Sequence, residues 1–237
     1  MNMKSFYKKT TKKKKLAVFD IDGTVFRSSI HTELFYGLVE YGIFPRIVLK
    51  EIEEYHEDWI NRRGTFKEFE MTLLDAYTRR LRNKMQEDIQ EVSSFVIRDK
   101  KDLVYVYTRD LINKLRKEGY FLLAISGSPN EIVQEFCKAW KFDLAYGAIY
   151  GTEGSSYTGE LIFPSYLKKK EILTQFCAEN NFSLKGSIGI GDTVGDVAFL
   201  EMMETPIAFN PNKELHAEAK KRGWKIVVER KDMIYEM

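Results

Sequence analysis

Short, uninterrupted apolar runs separated by helix-like stretches are the feature that most limits the folds open to this chain. "KLAVFDID" begins the series. "FLLAIS" (121–126), "GSIGIGD" (186–192), "TPIAFN" (205–210) and "WKIVVE" (224–229) follow. A strand with one face in water alternates apolar and polar residues, and these runs do not. They need cover on both faces, which the intervening helices supply. Helices are expected at 102–118, 130–140, 166–180, 195–203 and 212–222, with Gly119 and Gly223 as stops. The expected class is α/β, with a Rossmann-like, doubly wound parallel sheet.

Two segments break the alternation. "GAIYGTEGSSYTGEL" (147–161) has Gly and Ser between two β-prone runs, and reads as a small β-hairpin flap. Residues 27–100 hold no convincing strand. They are charged, with Phe35, Tyr36, Tyr55, Trp59, Phe66, Phe69 and Tyr77 at helical spacing. Three or four helices are expected there, forming a cap inserted after the first strand, with these aromatics as its core. The expected division is a basic, disordered tail at 1–15, a catalytic core at 16–26 and 101–237, and a helical cap at 27–100. A chain of 237 residues can bury cores of that size.

Charge separates the tail from the rest. The net charge is +2, yet residues 1–15 carry seven lysines and no acid, so the remainder is net negative. The basic character belongs to the tail, and a solubilising arm is the expectation. That argues against a nucleic-acid partner, and leaves membrane contact through the arm as a secondary reading. No apolar run approaches the ~18–20 residues of a membrane span. The tail lacks the ~7–15-residue apolar stretch of a secretory signal. Cys137 and Cys177 read as buried thiols, and a reducing cytoplasm is expected. His31, His56 and His216 are scattered and form no zinc pattern.

The strand ends carry the chemistry. Ligands of open α/β sheets bind beyond the carboxyl ends of the strands. Asp20 and Asp22 follow the first strand, Ser126, Gly127 and Ser128 the second, and Asp192 and Asp196 the third. Any one of these is a common cap or turn. Three strands delivering such groups to one edge are hard to explain as turns.

"DIDGT", "SGS", a lysine in "KKKEIL" and "GDTVGD" resemble the four motifs of the haloacid dehalogenase-like phosphohydrolases. The long insertion after "DIDGT" resembles the branch that includes phosphoserine phosphatase. "AFNPNKELHAEAKKRGWKIV" resembles a group of uncharacterised phosphatases in that branch. The resemblance spans residues 16 to 229 and implies a cytoplasmic phosphomonoesterase acting on a small phosphorylated metabolite. Asp22 favours phosphoryl transfer within the superfamily, because dehalogenases have no leaving oxygen to protonate. A lipid-phosphate phosphatase and a non-catalytic binding module are the rival readings.

On that resemblance Asp20 is the nucleophile, forming an aspartyl-phosphate, and Asp22 is the general acid and then the base. The second role needs a raised pKa, which crowding supplies. Gly23 lets the backbone fold so that amides face the phosphate, and Thr24 is expected to fix Asp22 by a hydrogen bond. Ser126 and the Gly127 amide would bind phosphoryl oxygens, with the helix starting near Pro129 aimed at them. Lys168, Lys169 and Lys170 are adjacent, and the family spacing favours Lys169. Two like charges ~4 Å apart repel by roughly 4 kcal/mol at an effective dielectric of about 20. One lysine cannot offset several such pairs plus a phosphate. Oxygen donors and a phosphate select Mg²⁺ as the cofactor. By resemblance Asp20, the Asp22 carbonyl and Asp192 would hold the ion, and Asp196 would orient Lys169 or a metal-bound water.

Specificity is expected from the cap. Phosphoserine phosphatases carry a glutamate nine residues after the nucleophile, and here that position is Ser29. Arg27 and Ser29 are the candidate substrate contacts, with a helix cap as the plainer role. Arg62 and Arg63 read as a solvated helix end that could meet a second anion.

Overall fold

The computed structural model of the chain describes residues 15–237. The tail expectation lies outside them except for Lys15, whose Nζ stands 5.4 Å from the centroid of the Tyr120 ring. Eight strands form one sheet: β1 (Leu16–Phe19), β2 (Phe121–Pro129), β3 (Leu144–Glu153), β4 (Ser156–Phe163), β5 (Ile188–Gly191), β6 (Thr205–Phe209), β7 (Lys225–Arg230) and β8 (Met233–Glu236). Their order is β4-β3-β2-β1-β5-β6-β7-β8. Neighbours from β3 to β7 pair in parallel, while β4 and β8 add antiparallel edges.

Alternation along β1 shows why its run is continuous. Ala17 and Phe19 face one core with Leu122 and Ala124. Leu16 and Val18 face a second core with Leu123 and Ile125. The first core is covered by α5 (Val106–Lys117) and α6 (Asn130–Ala139), and extends into α1 (Ile30–Glu40), α2 (Leu49–Ile60), α3 (Phe66–Leu81) and α4 (Gln86–Lys100). The second is covered by α7 (Lys169–Asn180), α8 (Val197–Leu200) and α9 (Lys213–Arg222). None of these helices is long and apolar enough to cross a membrane.

Helix ends follow local chemistry. Ser29 caps α1 by accepting from the Thr32 amide, and Asn212 caps α9 through the Leu215 amide. Thr65 and Glu68 form a reciprocal capping box on α3. Gly223, at φ +67°, ends α9. The helix expected from residue 102 begins only at Val106, because residues 103–105 are spent on the chain that leaves β1. There the Arg27 amide donates to the Leu103 carbonyl, and the Tyr105 amide to the Val25 carbonyl. The helix expected at 195–203 shortens to the single turn of α8, preceded by a 3-10 turn at Val194–Asp196.

The hairpin differs from an independent flap. Its first strand, β3, pairs in parallel with β2, so the hairpin extends the sheet. Its second strand is tied to the helical segment: the Asn83 amide donates to the Tyr157 carbonyl, the Tyr157 amide to Lys84, and the Gln86 amide to Ser155. Gly159 makes that approach possible, since a Cβ there would lie 2.9 Å from the Arg82 Cβ, and its φ is +75°.

Of the aromatic stripe, Phe35, Phe69 and Tyr77 are fully buried, whereas Tyr55 turns out to solvent. Cys137 is buried as expected, but Cys177 is only half-buried.

Candidate active site

Asp20 leaves β1 as a continuation of the sheet, its amide donating to the Ile190 carbonyl of β5 at 2.9 Å. The chain then turns sharply, and the Thr24, Val25 and Phe26 amides all converge on the Ile21 carbonyl. Gly23, at φ +74°, makes this turn possible. Its own amide is spent on the Phe26 and Ser28 carbonyls, so it faces no phosphate, contrary to expectation. The reason for glycine is close approach: a Cβ there would stand 2.1 Å from Asp192 Oδ2. The Ile21 and Asp22 amides donate to no group among the described residues.

Three donors orient Asp22. The Ile30 amide, in the first turn of α1, donates to Oδ1 at 2.7 Å. The Ser126 and Ser128 hydroxyls both donate to Oδ2, at 2.7 and 2.9 Å. Thr24 does not fix Asp22: its Oγ1 is buried without a partner. The serines reach across from β2 and take that role. Ser126 Oγ also accepts from the Ser128 amide at 2.9 Å, and α6 starts immediately after Pro129.

Of the three adjacent lysines, Lys169 points inward. Its Nζ lies 2.6 Å from Asp20 Oδ1 and 2.6 Å from Asp196 Oδ1. Burial works against its charge, but Asp196 and Asp20 outweigh burial and hold its pKa above the ordinary lysine value. Lys168 lies over the Phe163 ring, and Lys170 pairs with Glu201. Asp196 is fully buried, and its Oδ2 accepts from the Asp192 amide and from the Thr193 amide and hydroxyl.

Crowding shows in the acids. Burial, opposed by Lys169 and assisted by Asp196 and Asp22, pushes the Asp20 carboxyl up to about 7. Burial, then Asp20 and Asp196, raise Asp192 well above the carboxylate range. The Asp192 carboxylate accepts no hydrogen bond among the described residues. Carboxylate oxygens of Asp20, Asp192 and Asp196 all lie within 4.8 Å of one another. With Asp196 spent on Lys169 and the amides, Asp20 and Asp192 are the two side chains left to hold a metal ion. Hard oxygen donors with an unmatched negative charge suit a hard divalent cation.

The helical segment contributes unevenly. Ser29 is buried and occupied as the cap of α1. Arg27 is exposed, near enough to Tyr105 for their charges to interact. Arg62 and Arg63 lie on the surface at the end of α2, and Arg63 pairs with Asp58.

The sequence marks Ser128 among the strand-end groups but not as a donor to Asp22. One acid that the sequence did not mark interacts with these groups: Glu70, on α3. Burial, followed by Asp22, raises its carboxyl to about 7, with Lys169 pulling the other way. The signal for Glu70 was its place beside Phe69, on the helix face that Leu73 and Tyr77 bury. A charged residue on that stripe needs a reason.

The family model for haloacid dehalogenase-like hydrolases matches residues 17–201. A Streptomyces azureus protein described as inhibiting morphological differentiation is 25% identical over 216 residues, covering 89% of this chain and 77% of that protein. A histidinol-phosphatase of Neisseria meningitidis is 24% identical, covering 90% of this chain and 98% of its own. The chain spans about half (50%) of the length of mycobacterial relatives that it also matches. A solved phosphoserine phosphatase, an analogue of its phospho-aspartyl intermediate, superposes with a TM-score of 0.62 at 19% identity, covering 93% of this chain and 96% of the other. At that identity the likeness describes the fold.

Proposed function

We propose that this chain, which belongs to the haloacid dehalogenase-like hydrolases, is a Mg²⁺-dependent phosphomonoesterase that forms an aspartyl-phosphate on Asp20. The small phosphorylated substrate would be held between the sheet edge and the helices of residues 27–100. One observation carries this reading: Asp20, Lys169, Asp192 and Asp196 converge in one buried cluster beside Asp22.

Each residue then has a task. Lys169 holds Asp20 Oδ1, which leaves Oδ2 to attack phosphorus as the ester oxygen departs. Asp22 gives that oxygen its proton. Asp22 then takes a proton from the water that attacks the aspartyl-phosphate, releasing phosphate and restoring Asp20. The Ser126 hydroxyl, 2.7 Å from Asp22 Oδ2, turns to a phosphoryl oxygen as substrate enters, freeing Asp22 for the leaving group. The Ile21 and Asp22 amides add donors to the same phosphoryl group. Asp196 acts through Lys169 and the 191–193 turn. A divalent ion on Asp20 and Asp192 would neutralise phosphoryl charge and favour the ionised nucleophile.

Phosphate release from p-nitrophenyl phosphate tests the reading. Turnover is expected with Mg²⁺ and is expected to stop with EDTA. Undiminished turnover in EDTA would remove the metal from the account.

A further inference from the structure

We propose that the β8 edge of the sheet is a self-association surface: β8 pairs antiparallel with β8 of a second copy of this chain, about a two-fold axis at Tyr235, and joins two sheets into one. The inference concerns assembly and does not depend on the reaction proposed above.

The two edges of the sheet differ. β4 is met by the helical segment, where the Asn83 amide donates to the Tyr157 carbonyl and the Tyr157 amide to Lys84. β8 has no such partner among the described residues beyond β7. All four of its residues are exposed, so neither face is covered. Met233, Tyr235 and Met237 share one face and are 52%, 51% and 64% exposed. Sheet edges are usually blunted by free charges, a proline or a bulge. From Met233 to Met237 there is no proline, and β7 and β8 pair without a bulge. The charge in that stretch, Glu236, is already held by Lys225 at 2.9 Å.

Hydrogen-bond phase shows what this edge offers. Ile226 and Met237 exchange both of their backbone bonds, at 3.0 and 2.8 Å. In an antiparallel ladder such pairs recur at every second residue. Tyr235 and Met233 therefore spend their backbone groups on Val228 and Arg230, their partners in β7. The other strand agrees: the Val227 carbonyl and the Glu229 amide turn toward β6, where both meet Asn210. The N–H and C=O groups of Ile234 and Glu236 thus point outward, away from the sheet.

Charge then selects the pairing. A second copy must present its own Ile234 and Glu236 to these outward groups, and two-fold pairings centred on Ile234, Tyr235 or Glu236 all do so. Centred on Ile234, Asp232 in the turn before β8 meets Glu236 of the second copy. Centred on Glu236, the two glutamates meet. Like charges directly opposite destabilise a strand pair. Centred on Tyr235, no acid faces another. Ile234 exchanges backbone hydrogen bonds with Glu236 of the second copy, Met233 lies opposite Met237, and Tyr235 lies opposite Tyr235. The sequence Met-Ile-Tyr-Glu-Met is a palindrome on its apolar face, which is what a two-fold contact requires. The exposed methionines and tyrosines of both copies then cover one another.

Sedimentation velocity of the full chain tests this. A short strand pair belongs to the weak class of interfaces, below about 1,200 Å². Protein is therefore loaded from about 1 to 200 μM, a range that brackets a micromolar Kd. Wild type should pass from monomer toward dimer across it. Tyr235→Lys and Tyr235→Glu should each stay monomeric alone, because the axis sets like charges face to face. Their equimolar mixture should dimerise again, because the facing charges are then opposite. Tyr235 is half-exposed, so both variants should melt as wild type does. Ile234→Pro is a second probe, since that amide faces away from β7 and proline removes a donor from the contact but none from the ladder. It should weaken association by about tenfold or more. A wild type that stays monomeric at the highest concentration overturns the inference. So does a dimer that persists in both Tyr235→Lys and Ile234→Pro, and so does a mixture of the two charged variants that stays monomeric.

Discussion

Gly23 and Asp196 show how tightly single residues constrain this site. Gly23→Ala places a methyl group 2.1 Å from Asp192 Oδ2 on backbone at φ +74°. Asp192 must shift, and displacing a reacting group by ~1 Å can cost about 100-fold in rate. That loss is expected in phosphate release, with melting showing a mostly intact fold. Asp196→Asn removes one of the two carboxylates that hold Lys169. Breaking a buried pair from one side costs about 3–5 kcal/mol. Urea unfolding should show a loss approaching that range, and activity should fall through the misplaced lysine. His31 offers a pH signature. Burial lowers its pKa from the ordinary histidine value to about 3, and it lies edge-on to Tyr77 with Nε2 unpartnered among the described residues. Its folded pKa is depressed, so below about 6.5 the unfolded chain binds a proton that the folded chain refuses. Stability from this residue is complete above that pH and is lost as pH falls toward 3, by at most about 1.4 kcal/mol per pH unit. Asp20 and Glu70, raised to about 7, act in the opposite sense, losing stability as pH rises from about 4 to 7. The melting temperature of wild type minus that of His31→Phe isolates the histidine, and it should become steadily more negative, or less positive, as pH falls from about 6.5 to about 4.5.

Elements explain what could be read from sequence and what could not. β1 and β5 were legible because burial on both faces leaves uninterrupted apolar runs, and a carboxylate after such a run stands out. The acids Asp20, Asp22, Asp192 and Asp196 were found on that ground. Which donor meets Asp22 was not legible. Thr24 is adjacent in sequence, but Ser126 and Ser128 arrive from more than a hundred residues away (|i−j| of 104 and 106). Glu70 was hidden for a similar reason, since α3 reads as amphipathic whether its one inward acid faces a cleft or solvent. β8 escaped notice because all four of its residues are exposed and carry no periodic signal. The hairpin was visible from its turn residues, but its pairing with β2 and its tie to residues 83–86 depend on distant register. That tie makes α3 an element whose stability matters to the site. Thr65→Ala removes its capping box and should cost about 1 kcal/mol in denaturant unfolding. A larger loss would show that the α3–hairpin seam opens with the cap.

At the scale of the whole molecule, two cores hold one sheet edge in place, and the helical segment packs into the first of them. The first core runs without interruption from α2 and α3 through β1 to α5 and α6, so the helices and the sheet share packing. The central claim is that this edge works through a covalent bond to Asp20. A single turnover with a phosphomonoester labelled on phosphorus, quenched in acid, tests it most directly. Wild type with Mg²⁺ should carry transient, base-labile label on the protein, and Asp20→Asn should carry none and release no phosphate. Release of labelled phosphate by Asp20→Asn at the wild-type rate would contradict the account.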